Sequence, residues 1–126
     1  MKFNIEKNSL FKSLSHVQNI VEKKNTLPIL SNILLEVSNS NLILSATDMD
    51  ISIKDKISCN VIEDGSTTVS AHTLYDIIRK LSDSTEIEFI CNDGKILTLR
   101  AGKSKFSLSC LPKEDFPIIE IGDIKN

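Results

Sequence analysis

The chain sets out one order of signals twice, and this doubling restricts its fold more than any other feature. Each copy has a short alternating segment, a stretch of apolar residues at helical spacing, and then three further alternating segments. In the first copy, residues 2–6 alternate as a short strand, and Leu10, Leu14, Val17 and Val21 form the apolar stripe of a helix that Asn8 or Ser9 can cap. Strands are then expected at 32–38, 42–46 and 51–59, divided by the turn formers Asn39-Ser40-Asn41 and Thr47-Asp48-Met49-Asp50. The second copy follows Asp64-Gly65. It has a strand at 67–70, a helix at 72–81 that buries Leu74, Ile77, Ile78 and Leu81, and strands at 86–91, 96–100 and 105–111. Asn92-Asp93-Gly94 is the strongest hairpin signal, and Ala101-Gly102-Lys103 makes the next turn. The copies span about residues 1–62 and 65–117 of a single domain covering 1–126, with no Gly/Ser or Pro-rich linker between them. Two antiparallel-rich half-sheets with both helices on one face make this an α+β fold with pseudo-twofold symmetry.

Proline fixes one boundary. The ring of Pro28 removes a ladder donor and pushes Leu27 to an extended conformation, so it ends the first helical segment and introduces the next strand. There Ile33, Leu35 and Val37 alternate with Asn32, Leu34 and Glu36, as a half-buried strand requires.

At 126 residues the chain can bury roughly two-thirds of its unfolded surface in one core. Its hydrophobic share of 40% and charged share of 25% are ordinary for a soluble domain. No apolar run approaches the roughly 20 residues that span a bilayer. Residues 1–6 alternate in polarity and lack the apolar core of a secretory signal, so the expected location is cytoplasmic. Cys59, Cys91 and Cys110 are odd in number and widely spaced in strand-like surroundings, which reads as reduced packing residues and not a disulfide framework or a metal site.

Motifs for catalysis are missing. There is no Gly-rich phosphate loop, no Gly-x-Ser-x-Gly elbow and no His-Glu-x-x-His. Asp48 and Asp50 fall in an expected hairpin turn, where Asp is favoured without any cation. His16 and His72 have no nucleophile placed beside them by a recognisable motif and are expected to be exposed. The chain is therefore read as non-enzymatic, without metal or cofactor.

Charge is divided unequally. The two helical segments together carry a net +4 and the remainder −6. Lys12, His16, Asn19 and Lys23 recur at helical spacing, Lys24 and Asn25 extend the same surface, and no acidic residue lies between Glu6 and Glu22. Such a stripe suits duplex phosphates, held electrostatically, without sequence preference and with strong salt sensitivity. In the last strand Phe106 and Leu108 alternate with Ser107 and Ser109 and follow Lys103 and Lys105, so the strand has an apolar and a small polar side. Filling the domain's own core is an equally good account of Phe106 and Leu108.

The stretch from Thr26-Leu27-Pro28-Ile29-Leu30 through Ser31-Asn32-Ile33-Leu34-Leu35-Glu36-Val37 carries a family resemblance. Together with Ser45-Ala46-Thr47-Asp48, the run Lys103-Ser104-Lys105-Phe106-Ser107-Leu108-Ser109 and Asp115-Phe116-Pro117, it resembles the first domain of the bacterial DNA polymerase III beta subunit, the replication sliding clamp. The resemblance implies a DNA-clamp fold of two β-α-β-β-β motifs, helices toward a pore and sheets outside. It implies a processivity ring around double-stranded DNA, with Lys24 at the position of the family's DNA-contacting loop residue. Where family members place basic residues near the start of the second helix, this chain has Thr73 and Leu74, leaving Arg79 and Lys80 as DNA candidates there. The resemblance further makes the last strand an edge that pairs with the third domain of a second clamp subunit in a homodimer ring, through Lys103, Lys105, Phe106 and Leu108, with Leu74 and Ile96 beside them. Ile96 departs from a basic residue common in the family. Polymerase and clamp loader would bind through later domains. The competing reading is a stand-alone interaction module that pairs through its last strand.

Overall fold

The computed structural model describes residues 1–21, 28–48 and 50–117. The first strand and first helix run together without a loop: β1 (Lys2–Glu6) passes directly into α1 (Lys7–Val17). The helix therefore starts ahead of the cap expected at Asn8 or Ser9. Glu6 stands at the boundary and accepts a hydrogen bond from Ser9 Oγ at 3.3 Å. A 3₁₀ turn (Gln18–Ile20) closes this helical segment, and a second (Pro28–Ser31) leads into β2 (Asn32–Ser38). Pro28 thus introduces the strand as its missing N–H demands, while Leu27 lies outside the described residues.

β3 (Asn41–Thr47) and β4 (Ser52–Ser58) continue the meander. Asn39 and Ser40 both take positive φ, 50° and 64°, which gives the β2–β3 hairpin its tight two-residue turn. The strand expected at 51–59 is β4, and a further short strand that was not expected follows it. β4 stops at Ser58, and β5 (Asn60–Glu63) crosses to the opposite end of the sheet to pair with β1. The rest follows the expected order: β6 (Gly65–Ser70), α2 (Ala71–Arg79), β7 (Glu86–Ile90), β8 (Ile96–Ala101) and β9 (Ser104–Leu111). Ser70 Oγ accepts from the Thr73 N–H and caps α2. Gly94 and Gly102 occupy the left-handed positions of the last two turns, at φ 74° and 60°.

All pairings are antiparallel, in the order β4-β3-β2-β6-β9-β8-β7-β1-β5. The strand before each helix adds to the sheet formed after the other helix: β1 pairs with β7, and β6 with β2. Among the described residues the two groups of strands hydrogen-bond to each other only at β6 and β9, through Thr68↔Leu111 and Val69↔Cys110. At this seam the buried Asn32 amide donates to Thr68 Oγ1 at 3.1 Å.

The alternation of β2 holds, with Ile33, Leu35 and Val37 buried opposite Leu42 and Leu44 of β3. Both helices pack on this apolar face, and they meet each other where the Phe11 and Tyr75 rings stack at 5.5 Å. On the other half of the sheet Phe3 and Phe89 sit directly opposite one another and stack at 4.6 Å. No helix among the described residues is long and apolar enough to cross a membrane.

Candidate functional site

Burial of Leu10, Leu14 and Val17 fixes which side of α1 faces water. Lys12 and His16 lie on the exposed side, as their spacing predicts, and Asn19 is exposed in the 3₁₀ turn beyond it, while Lys23 and Lys24 lie outside the described residues. His16 is held: its Nδ1–H donates to Asp55 Oδ2 on β4, 3.1 Å away. Asp55 is the residue the sequence reading missed. It alternates with the exposed Lys54 and Lys56, and only the packing of α1 beside β4 gives it a role in this stripe.

Lys7 corrects the charge reckoning. It is buried, its ammonium 3.1 Å from Asp83 Oδ1 and 4.9 Å from the centre of the Phe11 ring, so it adds no charge to the polar face of α1. His72 is likewise half-buried and not exposed. Its Nε2–H donates to the Val21 carbonyl at 2.9 Å, tying α2 to the end of the first helical segment. Arg79 is engaged with Asp76 at 3.3 Å, one helical turn earlier. Lys80 does not join the α1 stripe but lines a cleft between α2 and β9 with Ser104 and Phe106.

That cleft exists because β9 is only partly paired. The sheet order ends on β4 and β5, so β9 is not its outermost strand as expected. Residues 104–109 nevertheless pair with β8 alone, and β6 joins only at Cys110 and Leu111. One side of residues 104–109 therefore faces the cleft and Thr73 and Ile77 of α2, with no strand beside it among the described residues. Lys103 and Lys105 are exposed, Phe106 is half-buried in the cleft wall, and Ile96 is 45% exposed at the start of β8. Two of the expected contact residues belong elsewhere. Leu74 is wholly buried on the core-facing side of α2 and presents nothing to a partner; Leu108, 6% exposed, is part of this domain's own core and reaches only the cleft floor.

Asp48 serves its turn: Oδ1 accepts from the Asp50 and Ile51 N–H groups at 2.9 and 2.7 Å. These bonds, Ile51's first, lower its pKa below the ordinary value. Among the described residues no group of three His, Cys, Asp or Glu is placed to hold a metal ion. Cys59, Cys91 and Cys110 are free. Burial pushes the Cys110 thiol up to about 11, with the neighbouring Cys91 adding to the shift and Thr67 opposing it.

A family profile described as DNA polymerase III beta subunit, N-terminal domain, matches residues 1–120. A beta sliding clamp of Caulobacter vibrioides is 45% identical over 120 residues, covering 94% of this chain and 32% of the relative. One from Vibrio harveyi is 40% identical over 121 residues, 95% of this chain and 83% of that protein. The solved structure of Caulobacter crescentus pol III beta superposes with a TM-score of 0.90 at 45% identity, over 94% of this chain and 32% of that one. A Pseudomonas aeruginosa sliding clamp superposes with a TM-score of 0.91 at 37% identity, over 95% and 32%. The chain spans about a third of the length of the Caulobacter relative.

Proposed function

Since the chain belongs to the DNA polymerase III beta subunit family, as its N-terminal domain, we propose that it forms one arc of a sliding clamp that encircles duplex DNA and tethers the replicative polymerase. In this reading it is a non-catalytic cytoplasmic module, the first third of a three-domain subunit built from two β-α-β-β-β units. The ring stays on DNA because the duplex is threaded through it, and weak phosphate contacts let it slide. The observation that carries the reading is the exposed face of α1, where Lys12 and His16 lie on the side of the helix turned away from the core, with Asn19 exposed in the 3₁₀ turn that follows.

Lys24 and Lys23 extend that face in the proposal, and Arg79 and Lys80 have the weaker claim, since Asp76 engages the first and the second lines the β9 cleft. The open side of residues 104–109 is the edge to which the third domain of a second subunit adds, with Phe106 as the apolar anchor and Lys103 and Lys105 facing acidic partners. Polymerase and clamp loader engage later domains.

Charge reversal tests the reading. In the full-length protein, Lys12→Glu with Lys24→Glu should shorten retention on circular duplex DNA and flatten its salt dependence, because each lost phosphate contact lowers the salt slope by about one. Unchanged retention and an unchanged slope would remove α1 from the DNA-facing surface.

A further inference from the structure

On the sheet face opposite the helices, Leu34, Ser45 and Lys54 form one row across β2, β3 and β4, directly paired in register. The segment after β9 lies over this row, placing Lys113, the buried Phe116 and Pro117 against it. Between them is a cleft of about 230 Å³, with Glu36 also in its wall. The hydroxyl of Ser45 has no hydrogen-bond partner among the described residues, although the residue is 0% exposed. Buried polar groups are almost always paired, because an unmet hydroxyl bears its full desolvation penalty. Neither Lys54, Lys113 nor Glu36 forms an ion pair among the described residues. The cleft thus combines two ammonium groups, one carboxylate and one hydroxyl, none of them paired among the described residues, with the apolar surfaces of Leu34 and Phe116.

We propose that this cleft binds a short peptide segment carrying a carboxylate next to a bulky apolar side chain. The carboxylate lies between the Lys54 and Lys113 ammonium groups, where charge-assisted hydrogen bonds are strongest, and accepts from the buried Ser45 Oγ–H after a small shift of the overlying Lys113–Pro117 segment. The apolar side chain rests on Leu34 and Phe116. Glu36 repels a second acidic group, so the segment bears a single carboxylate at this point. The site is independent of the α1 face and of the β9 edge, and it does not rest on the ring reading.

The test is an NMR titration of the ¹⁵N-labelled 126-residue chain with the probe Ac-Phe-Glu-NH₂, its neutral counterpart Ac-Phe-Gln-NH₂ serving as the control. Saturable shifts confined to Leu34, Ser45, Lys54 and Phe116 are expected, with at least fivefold weaker binding of the Gln peptide. Ser45→Ala separates a binding hydroxyl from a structural one. It should raise Tm, since it deletes an unsatisfied buried group, and at the same time weaken the Glu peptide severalfold. Lys54→Glu with Lys113→Glu should abolish binding and leave Tm unchanged. The proposal is overturned if no shift saturates, if the two peptides bind equally, or if Ser45→Ala lowers Tm, which would mean an internal partner or an ordered water only.

Discussion

The hydroxyl of Thr68 donates to the main-chain carbonyl of Leu111 across 2.7 Å, at the narrowest join in the sheet. The same oxygen accepts from the Asn32 amide, so one side chain links β2, β6 and β9. Thr68→Val keeps the shape and deletes both bonds, leaving a buried amide and a carbonyl unmet. It should cost about 1–3 kcal/mol, read as a lower urea midpoint at constant m-value. A loss below about 0.5 kcal/mol would mean that the seam is held by its two ladder pairs alone.

Lys7 and Asp83 share an ion pair but not a role. The Lys7 side chain is 7% exposed and that of Asp83 is 82% exposed. Asp83→Asn should therefore cost less than about 1 kcal/mol, because water and salt already screen the carboxylate. Lys7→Ala should cost more, through its buried stem and its contact with Phe11, and Lys7→Met should recover most of that loss. Equal costs for Lys7→Ala and Asp83→Asn in thermal unfolding would show that the ion pair, not the stem, anchors the start of α1.

Leu74 and Phe106 separate core from edge. Leu74→Ala should destabilise the isolated chain by about 2–5 kcal/mol, the range for a fully buried leucine. Phe106→Ala, from a half-buried position, should cost less there and instead, in the ring proposed above, weaken association of full-length subunits, measured by sedimentation. Unchanged association would take Phe106 out of the interface.

Two groups titrate outside the neutral range, with opposite consequences. The Asp48 pKa is lowered in the fold, so its contribution to stability is complete above the ordinary value of 3.8 and is lost as pH falls through the lower folded value. The carboxyl shift of Asp48, followed by NMR, should accordingly titrate below 3.8. Cys110 is raised from 9.0 to about 11, so its contribution is complete below 9.0 and declines as pH rises toward 11. Alkylation of Cys110 by iodoacetamide should stay slow at pH 8 and rise steeply only above 9. Rapid alkylation at pH 8 would contradict the burial of its thiol.

Local pattern reached most of this fold and stopped where partners are distant in the chain. β1 and β2 lie where alternation and Pro28 put them, because side-chain period and turn chemistry act over a few residues. β5 was merged into a loop: four residues long, it is defined by pairing with β1, some sixty residues earlier. The burial of Lys7 depends on Asp83, seventy-six positions away, and a lysine on a helix reads as solvated until that partner is known. In the candidate site, the placing of Lys12 and His16 was legible because one helix sets their spacing. The tie from His16 to Asp55, the place of Lys80 beside Phe106 and the inward turn of Leu108 each depend on how one element lies against another.

The exchange of leading strands, β1 to β7 and β6 to β2, makes the two units hostages of one another. Neither can complete its sheet before the other has been made, so a growing chain has no finished half to protect while the remainder is synthesised, and folding waits for contacts that span most of its length. Cleavage at the Asp64-Gly65 junction would yield two pieces, each missing a strand that only the other supplies, able to regain structure by complementation and not alone.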